Sequence, residues 1–123
     1  MKGGMKMGQD PDFAVDVGHD GSYEIVTVRG EIDLVTAPLI RKAFTGLGSR
    51  IVIDLRAVGF MDSSGLAVLL EQKGRMNGGE LRVVANGPAV LRLFELAGVS
   101  DLLAPTPGLS LPGRKAKPKI KAS

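Results

Sequence analysis

Between Phe13 and Ala104 the apolar residues follow two rhythms in turn, and the order of those rhythms leaves few folds open. Phe13 to Val17 alternates, Gly18 to Gly21 reads as a turn, and Ser22 to Arg29 resumes the alternation with β-branched residues, which predicts an antiparallel hairpin. A helical stripe follows. Thr36 is placed as its N-cap with Pro38 in the first turn, and Leu39, Ile40, Ala43, Phe44 and Leu47 share one face before Gly48. Ile51 to Leu55 is an apolar run interrupted only by Asp54, as in a central strand covered on both faces, and Val58 and Phe60 are expected to alternate inward beyond it. A second helix is predicted over 64–76, ending at Asn77, Gly78 and Gly79, where positive φ is accessible. Leu81 to Ala85 forms the next strand, and Gly87 and Pro88 open a third helix that turns Val90, Phe94 and Ala97 one way. Gly98 ends that helix, and Asp101 to Ala104 is placed as a short last strand.

This order specifies a single α/β domain: a mixed, mostly parallel sheet with an N-terminal antiparallel hairpin and crossover helices, because strands separated by ten or more helical residues run parallel. Loops leaving the C-terminal ends of parallel strands emerge on one edge. Asp33, Asp62 to Gly65 and Asn86 are therefore expected on one rim, where α/β domains bind ligands and partners, while His19 falls at the opposite rim.

Composition removes several classes of chemistry. The chain has no Cys and a single His, which leaves no thiol nucleophile, disulfide framework or Cys/His zinc set, so no metal site is expected. Its longest purely apolar stretch, Leu66 to Leu70, is far short of the roughly 20 residues of a membrane-spanning helix. Met1 to Gly8 lacks the apolar core of a secretory leader, and a cytoplasmic location is expected. The net charge of +3 suggests a polyanion partner, but Arg114, Lys115, Lys117, Lys119 and Lys121 supply it from the last ten residues. The other 11 basic residues face 13 acidic ones, leaving the body near −2. Aromatic residues for base stacking are sparse, at 4%, and no direct nucleic-acid partner is expected. Residues 1–10 are assigned to an N-terminal tail, 11–104 to the domain, and the Pro- and Gly-interrupted residues 105–123 to a disordered basic tail.

The segment with most chemical content is Asp62-Ser63-Ser64-Gly65, at the start of the second helix. Asp and Ser are preferred N-caps, so a purely structural role accounts for them. A serine there also presents its hydroxyl beside the positive end of a helix dipole, where an added phosphate is accommodated. Enzyme motifs fail at this site. A nucleophile elbow around Ser63 needs glycine where Met61 stands, no Lys follows Gly65 as a phosphate-cradling loop would require, and His19 is too far to serve as a base.

Two segments carry a family resemblance: Gly-Glu-Ile-Asp-Leu-Val-Thr-Ala at 30–37, and Phe-Met-Asp-Ser-Ser-Gly-Leu-Ala-Val-Leu-Leu at 60–70. With Gly-Gly-Glu-Leu-Arg-Val-Val-Ala at 78–85 and Pro-Ala-Val-Leu-Arg-Leu-Phe-Glu-Leu-Ala-Gly at 88–98, the chain over roughly 11–104 resembles the STAS domain of bacterial anti-sigma factor antagonists. The resemblance implies a non-enzymatic partner switch without a cofactor of its own. The unmodified protein would bind an anti-sigma factor of GHKL ATPase type, which is also a serine kinase, and thereby free the sigma factor. Phosphorylation of Ser63 would end binding, and a PP2C-type phosphatase would restore it. Asp33, Asp62, Ser64 and Gly65 would then surround the modified serine as partner-binding residues; for Asp33 a helix-leading cap ahead of Thr36 is the alternative. A STAS-like scaffold subunit of a transporter or multiprotein stress complex, with no kinase cycle, is the other function class. One departure from the family is visible: Pro105 to Gly113 does not favour the last helix that members commonly carry.

Overall fold

A computed structural model describes residues 12–104. In that span β1 (Ala14–Asp20) and β2 (Tyr23–Ile32) form the antiparallel hairpin, followed by α1 (Ala37–Ala43), β3 (Arg50–Met61), α2 (Ser63–Arg75), β4 (Glu80–Val84) and α3 (Pro88–Leu96). The sheet order is β1-β2-β3-β4, with β2, β3 and β4 mutually parallel. The expected mixed α/β sheet is therefore present. Both tails assigned from the sequence, and the question of a last helix, lie outside the described residues.

Each parallel crossover steps one strand along in the same direction, so right-handed connections place the helices on one face. The main core shows this arrangement: Ile40 of α1 and Phe44 that caps it, Leu66 and Leu69 of α2, and Val90 and Phe94 of α3 pack against Val26, Val28, Ile51 and Ile53. The central strand is thus covered by helices on one face only, a correction to the expectation of two. On the other face Val52 is buried by Ile25, Tyr23 and Val84, side chains of the sheet itself. Asp54 is buried there too, held by Arg56 in a two-point ion pair of 3.0 and 2.9 Å.

Several element boundaries differ from the sequence expectation. The hairpin turn is Gly21-Ser22, with Asp20 paired to Tyr23, so the strands run through residues assigned to the turn. Helix α1 stops at Ala43, although Leu47 still packs on the core. Ala97 caps α3 and is exposed rather than facing inward with Val90 and Phe94. Asp101 to Ala104 is not a strand. Ser100–Leu102 is a 3₁₀ turn, after which Leu103 makes one parallel bridge to Val83.

The largest correction concerns β3, which continues past Leu55 to Met61. Asp54 pairs with Thr27 and Ala57 with Arg29, so three steps on β3 span two on β2; Val58 opposite Gly30 and Phe60 opposite Glu31 repeat the mismatch. Each extra residue reverses the pleat. Ile51, Ile53 and Leu55 therefore share the helix-covered core with Val58 and Met61, while Phe60 points out and is 45% exposed. The second irregularity lies beside Gly30, whose φ of +105° favours glycine and whose position admits nothing larger. A Cβ there would sit 2.3 Å from the Asp12 carbonyl oxygen.

Candidate functional site

The C-terminal ends of β2 and β3 are tied together where Asp62 N–H donates to the Ile32 carbonyl at 3.1 Å. The chain then turns into α2 on one side and into the α1 approach on the other, so the expected rim exists, with Asp33, Asp62 to Gly65 and the segment after β4 along it. His19 pairs with Glu24 at 3.4 Å, at the start of β2 and hence at the far edge.

Asp62 is the N-cap of α2, in extended conformation, one residue earlier than a helix starting at Ser64 would imply. Its Oδ1 accepts from the Ser64 amide at 2.9 Å and the Gly65 amide at 3.4 Å, and it also accepts from the Ser64 hydroxyl. These donors hold the Asp62 carboxyl below the usual carboxylate range, the Ser64 hydroxyl contributing most. The two serines are consequently unequal. Ser64 is half-buried with its hydroxyl engaged by Asp62, whereas Ser63 is exposed at the first helical position and its hydroxyl makes no hydrogen bond among the described residues.

Gly65, expected at the partner surface, is buried. A Cβ on it would lie 2.4 Å from Ile32 Cγ2 and 3.2 Å from Met61 Cγ, so its absence is what lets the first turn of α2 seat on the strand ends. Residue 65 offers no side chain to a partner, and its contribution is to hold Ser63 at a fixed height above the sheet.

Asp33 is half-buried and performs the capping that the sequence assigned to Thr36, which makes no side-chain cap to the amides that follow it. Asp33 Oδ1 accepts from the Val35 and Thr36 amides, each at 3.0 Å, while Thr36 Oγ1 accepts from the Asp33 amide at 2.9 Å and donates to the Glu31 carbonyl at 2.9 Å. This is a reciprocal box with threonine in the place usual for Glu or Gln. The alternative left open for Asp33, a helix-leading cap, describes the bonds its carboxylate makes. An open cleft of about 460 Å³ adjoins it, lined by Asp12, Gly30, Glu31, Asp33, Ala57 and Gly59.

Sequence reasoning missed the apolar part of the rim. Leu34 is 76% and Val35 79% exposed, next to Asp33, and no periodicity announces two large hydrophobic residues in water. The available signal was the box itself: an Asp-x-x-Thr pattern leaves its two middle residues on the outside of a turn. Among the described residues no group of three or more His, Cys, Asp or Glu side chains is placed to hold a metal ion, and no helix is long and apolar enough to cross a membrane.

Comparison with known proteins places this geometry. The STAS domain family matches residues 14–111. The anti-sigma-B factor antagonist of Bacillus subtilis is 32% identical over 94 residues, 72% of this chain and 86% of that protein. Among solved structures, an anti-sigma factor antagonist from Mycobacterium paratuberculosis superposes with a TM-score of 0.69 at 35% identity, covering 76% of this chain and 86% of the other. The antagonist SpoIIAA shares the fold at lower identity: its unphosphorylated form gives a TM-score of 0.66 at 21% identity, covering 74% and 86%, and its phosphorylated form 0.60 at 20%, covering 74% and 89%.

Proposed function

The chain belongs to the STAS domain family of anti-sigma factor antagonists, and on that premise we propose that it binds an anti-sigma factor of GHKL ATPase type through the Ser63 rim, frees the sigma factor, and is switched off when that partner phosphorylates Ser63. Antagonists of this family are non-enzymatic regulators, and the chain would be substrate rather than catalyst in the exchange. A PP2C-type phosphatase completes the proposed cycle.

The observation that carries the reading is the inequality of the two serines. Phosphoryl transfer needs a hydroxyl that an outside active site can reach, and Ser63 offers one with no internal bond to break. Ser64 would have to abandon Asp62 first. A phosphate on Ser63 adds about −1.5 to −2 charges beside a carboxylate already held ionised, on a rim that also carries Glu31 and Asp33. Against an anionic group across an interface, two unit charges about 4 Å apart at an effective dielectric of 20 repel by about 4 kcal/mol before screening. A third of that corresponds to roughly tenfold in affinity. The helix itself tolerates the change, since negative charge is favourable at its N-terminus.

Kinase assays with site mapping test the reading. The cognate anti-sigma factor is expected to place one phosphate on Ser63 and none on a Ser63→Ala chain, which keeps full binding, while Ser63→Asp binds at least tenfold more weakly. Equal affinity of the two variants would remove the electrostatic switch, and phosphate on Ser64 would move the acceptor to a residue the geometry disfavours.

A further inference from the structure

Single exposed hydrophobic residues are ordinary on protein surfaces, but two adjacent ones held out by a rigid turn are not. Leu96, 70% exposed at the end of α3, stands without such a neighbour in sequence, and the helix-free sheet face is closed by its own ion pairs, Arg50 and Arg82 with Glu80 and Arg56 with Asp54. Leu34 and Val35 differ. The Asp33 carboxylate, the Thr36 hydroxyl and the 2.8 Å bond from the Ala37 amide to the Asp33 carbonyl fix the backbone on both sides of them, so their exposure is built into the turn.

Their position relative to Ser63 is bounded by the backbone. Asp62 and Ile32 are hydrogen-bonded neighbours; Ser63 is one residue beyond the first and Leu34 two beyond the second. At about 3.8 Å per residue and about 4.8 Å between strands, the Leu34 and Ser63 Cα atoms are at most roughly 16 Å apart. A standard protein interface covers about 800 Å² of each partner, a disc of about 16 Å radius. A protein that docks with Ser63 near its centre therefore covers Leu34 as well, with Val35 at the margin. The border of the pair is acidic, with Glu31, Asp33 and Asp12 lining the adjoining cleft and Asp62 beside Ser63.

We infer that Leu34 and Val35 form an apolar anchor for the anti-sigma factor, which would meet them with an apolar recess bordered by Lys or Arg side chains. The inference rests on the proposed function and adds a division of labour to it. The anchor supplies affinity that does not depend on modification, and Ser63 supplies the difference between the two states. An apolar contact ringed by charged side chains is a usual feature of specific interfaces.

The test compares wild type, Leu34→Ser/Val35→Ser and Leu96→Ser against purified GHKL-type anti-sigma factors from the same organism, by calorimetry and by phosphorylation kinetics. Asp33 and Thr36 are retained in the double variant, and circular dichroism checks that it folds. The double variant is expected to bind at least tenfold more weakly and to be phosphorylated with a KM raised by a similar factor at unchanged kcat, while Leu96→Ser matches wild type. Wild type binding with the double variant equal to it would overturn the anchor and leave the Ser63 switch standing. Binding of no such anti-sigma factor by wild type would overturn the proposed function and the anchor together. Loss of a wild-type dimer in the double variant, with partner affinity intact, would show that a second copy occupies the patch and would overturn the assignment to the anti-sigma factor.

Discussion

Asp62 is the residue on which the geometry of the site converges, because one carboxylate oxygen satisfies two amides at the head of α2 and takes the Ser64 hydroxyl as well. Removing such a cap costs about 1 kcal/mol, so Asp62→Ala is expected to lower the unfolding free energy from urea titrations by that amount at neutral pH, and Asp62→Asn by less. The pH dependence has a definite sign. The folded carboxyl is held below its unfolded value, so the stability it adds is present above the unfolded value, about pH 4, and is lost as pH falls through the folded one. The advantage of wild type over Asp62→Asn in urea titrations should therefore shrink as pH falls below about 4. A constant advantage across that range would mean the neutral acid caps as well as the anion does. At this scale Asp62, Ser63 and Ser64 were legible in sequence because capping is local chemistry, settled within three residues. Thr36 was legible as the N-cap position of α1 with Pro38 in the first turn, but the side-chain bonds ahead of the helix come from Asp33, which the sequence offered as the alternative. The exposure of Leu34 and Val35 was not legible, because apolar residues after a strand look like core until the turn that expels them is known.

Among the elements, β3 holds the difference between reading and structure. Two-residue alternation was the correct rule for it, and the rule predicted Val58 and Phe60 on one face. Two extra residues relative to β2 break the count, and they are invisible to a periodicity that looks at one strand at a time, because a bulge is a property of a pair. Val58 is 2% exposed and Phe60 45%, and the two should respond oppositely to the same change. Val58→Ala is expected to cost roughly 2 kcal/mol through lost burial and a cavity, and Val58→Asp to prevent folding. Phe60→Asp should leave the chain folded within about 1 kcal/mol of wild type, as expected for a substitution outside the core. Chemical denaturation of the four proteins decides the matter, and a larger loss at Phe60 than at Val58 would place the reversal of the pleat elsewhere. The same reversal matters for the rim, since it turns Met61 inward against Gly65 and so delivers Asp62 to the point where α2 must begin.

For the molecule as a whole, the element order was legible because each crossover announces itself by a change of rhythm, and the one-sided placement of the helices follows from the sheet order rather than from any one segment. Coverage of β3 on a single face escaped the sequence for that reason: Val52 and Asp54 look like residues beneath a second helix layer, yet Ile25, Tyr23, Val84 and Arg56 bury them from within the sheet. The described core closes between Phe13 and Leu102, and the family match ends at residue 111, so neither requires the five basic residues that follow. Ending the chain after Leu111 changes the net charge from +3 to about −2. The truncated protein is expected to melt within about 2 °C of the full chain, a shift below what about 1 kcal/mol would produce in a domain of this size. Its affinity for the anti-sigma factor at physiological salt should fall within twofold of the full chain, because the rim proposed to bind that partner is formed by residues before Val90. Association rates at low ionic strength separate the two contributions of charge. Steering by the basic segment would appear as a rate that drops on truncation and converges with the full chain as salt is added, whereas attraction between the acidic rim and a cationic partner gives both chains the same salt slope. The second behaviour is expected. The first would make the basic segment a working part of the switch, acting on encounter while Ser63 acts on dissociation.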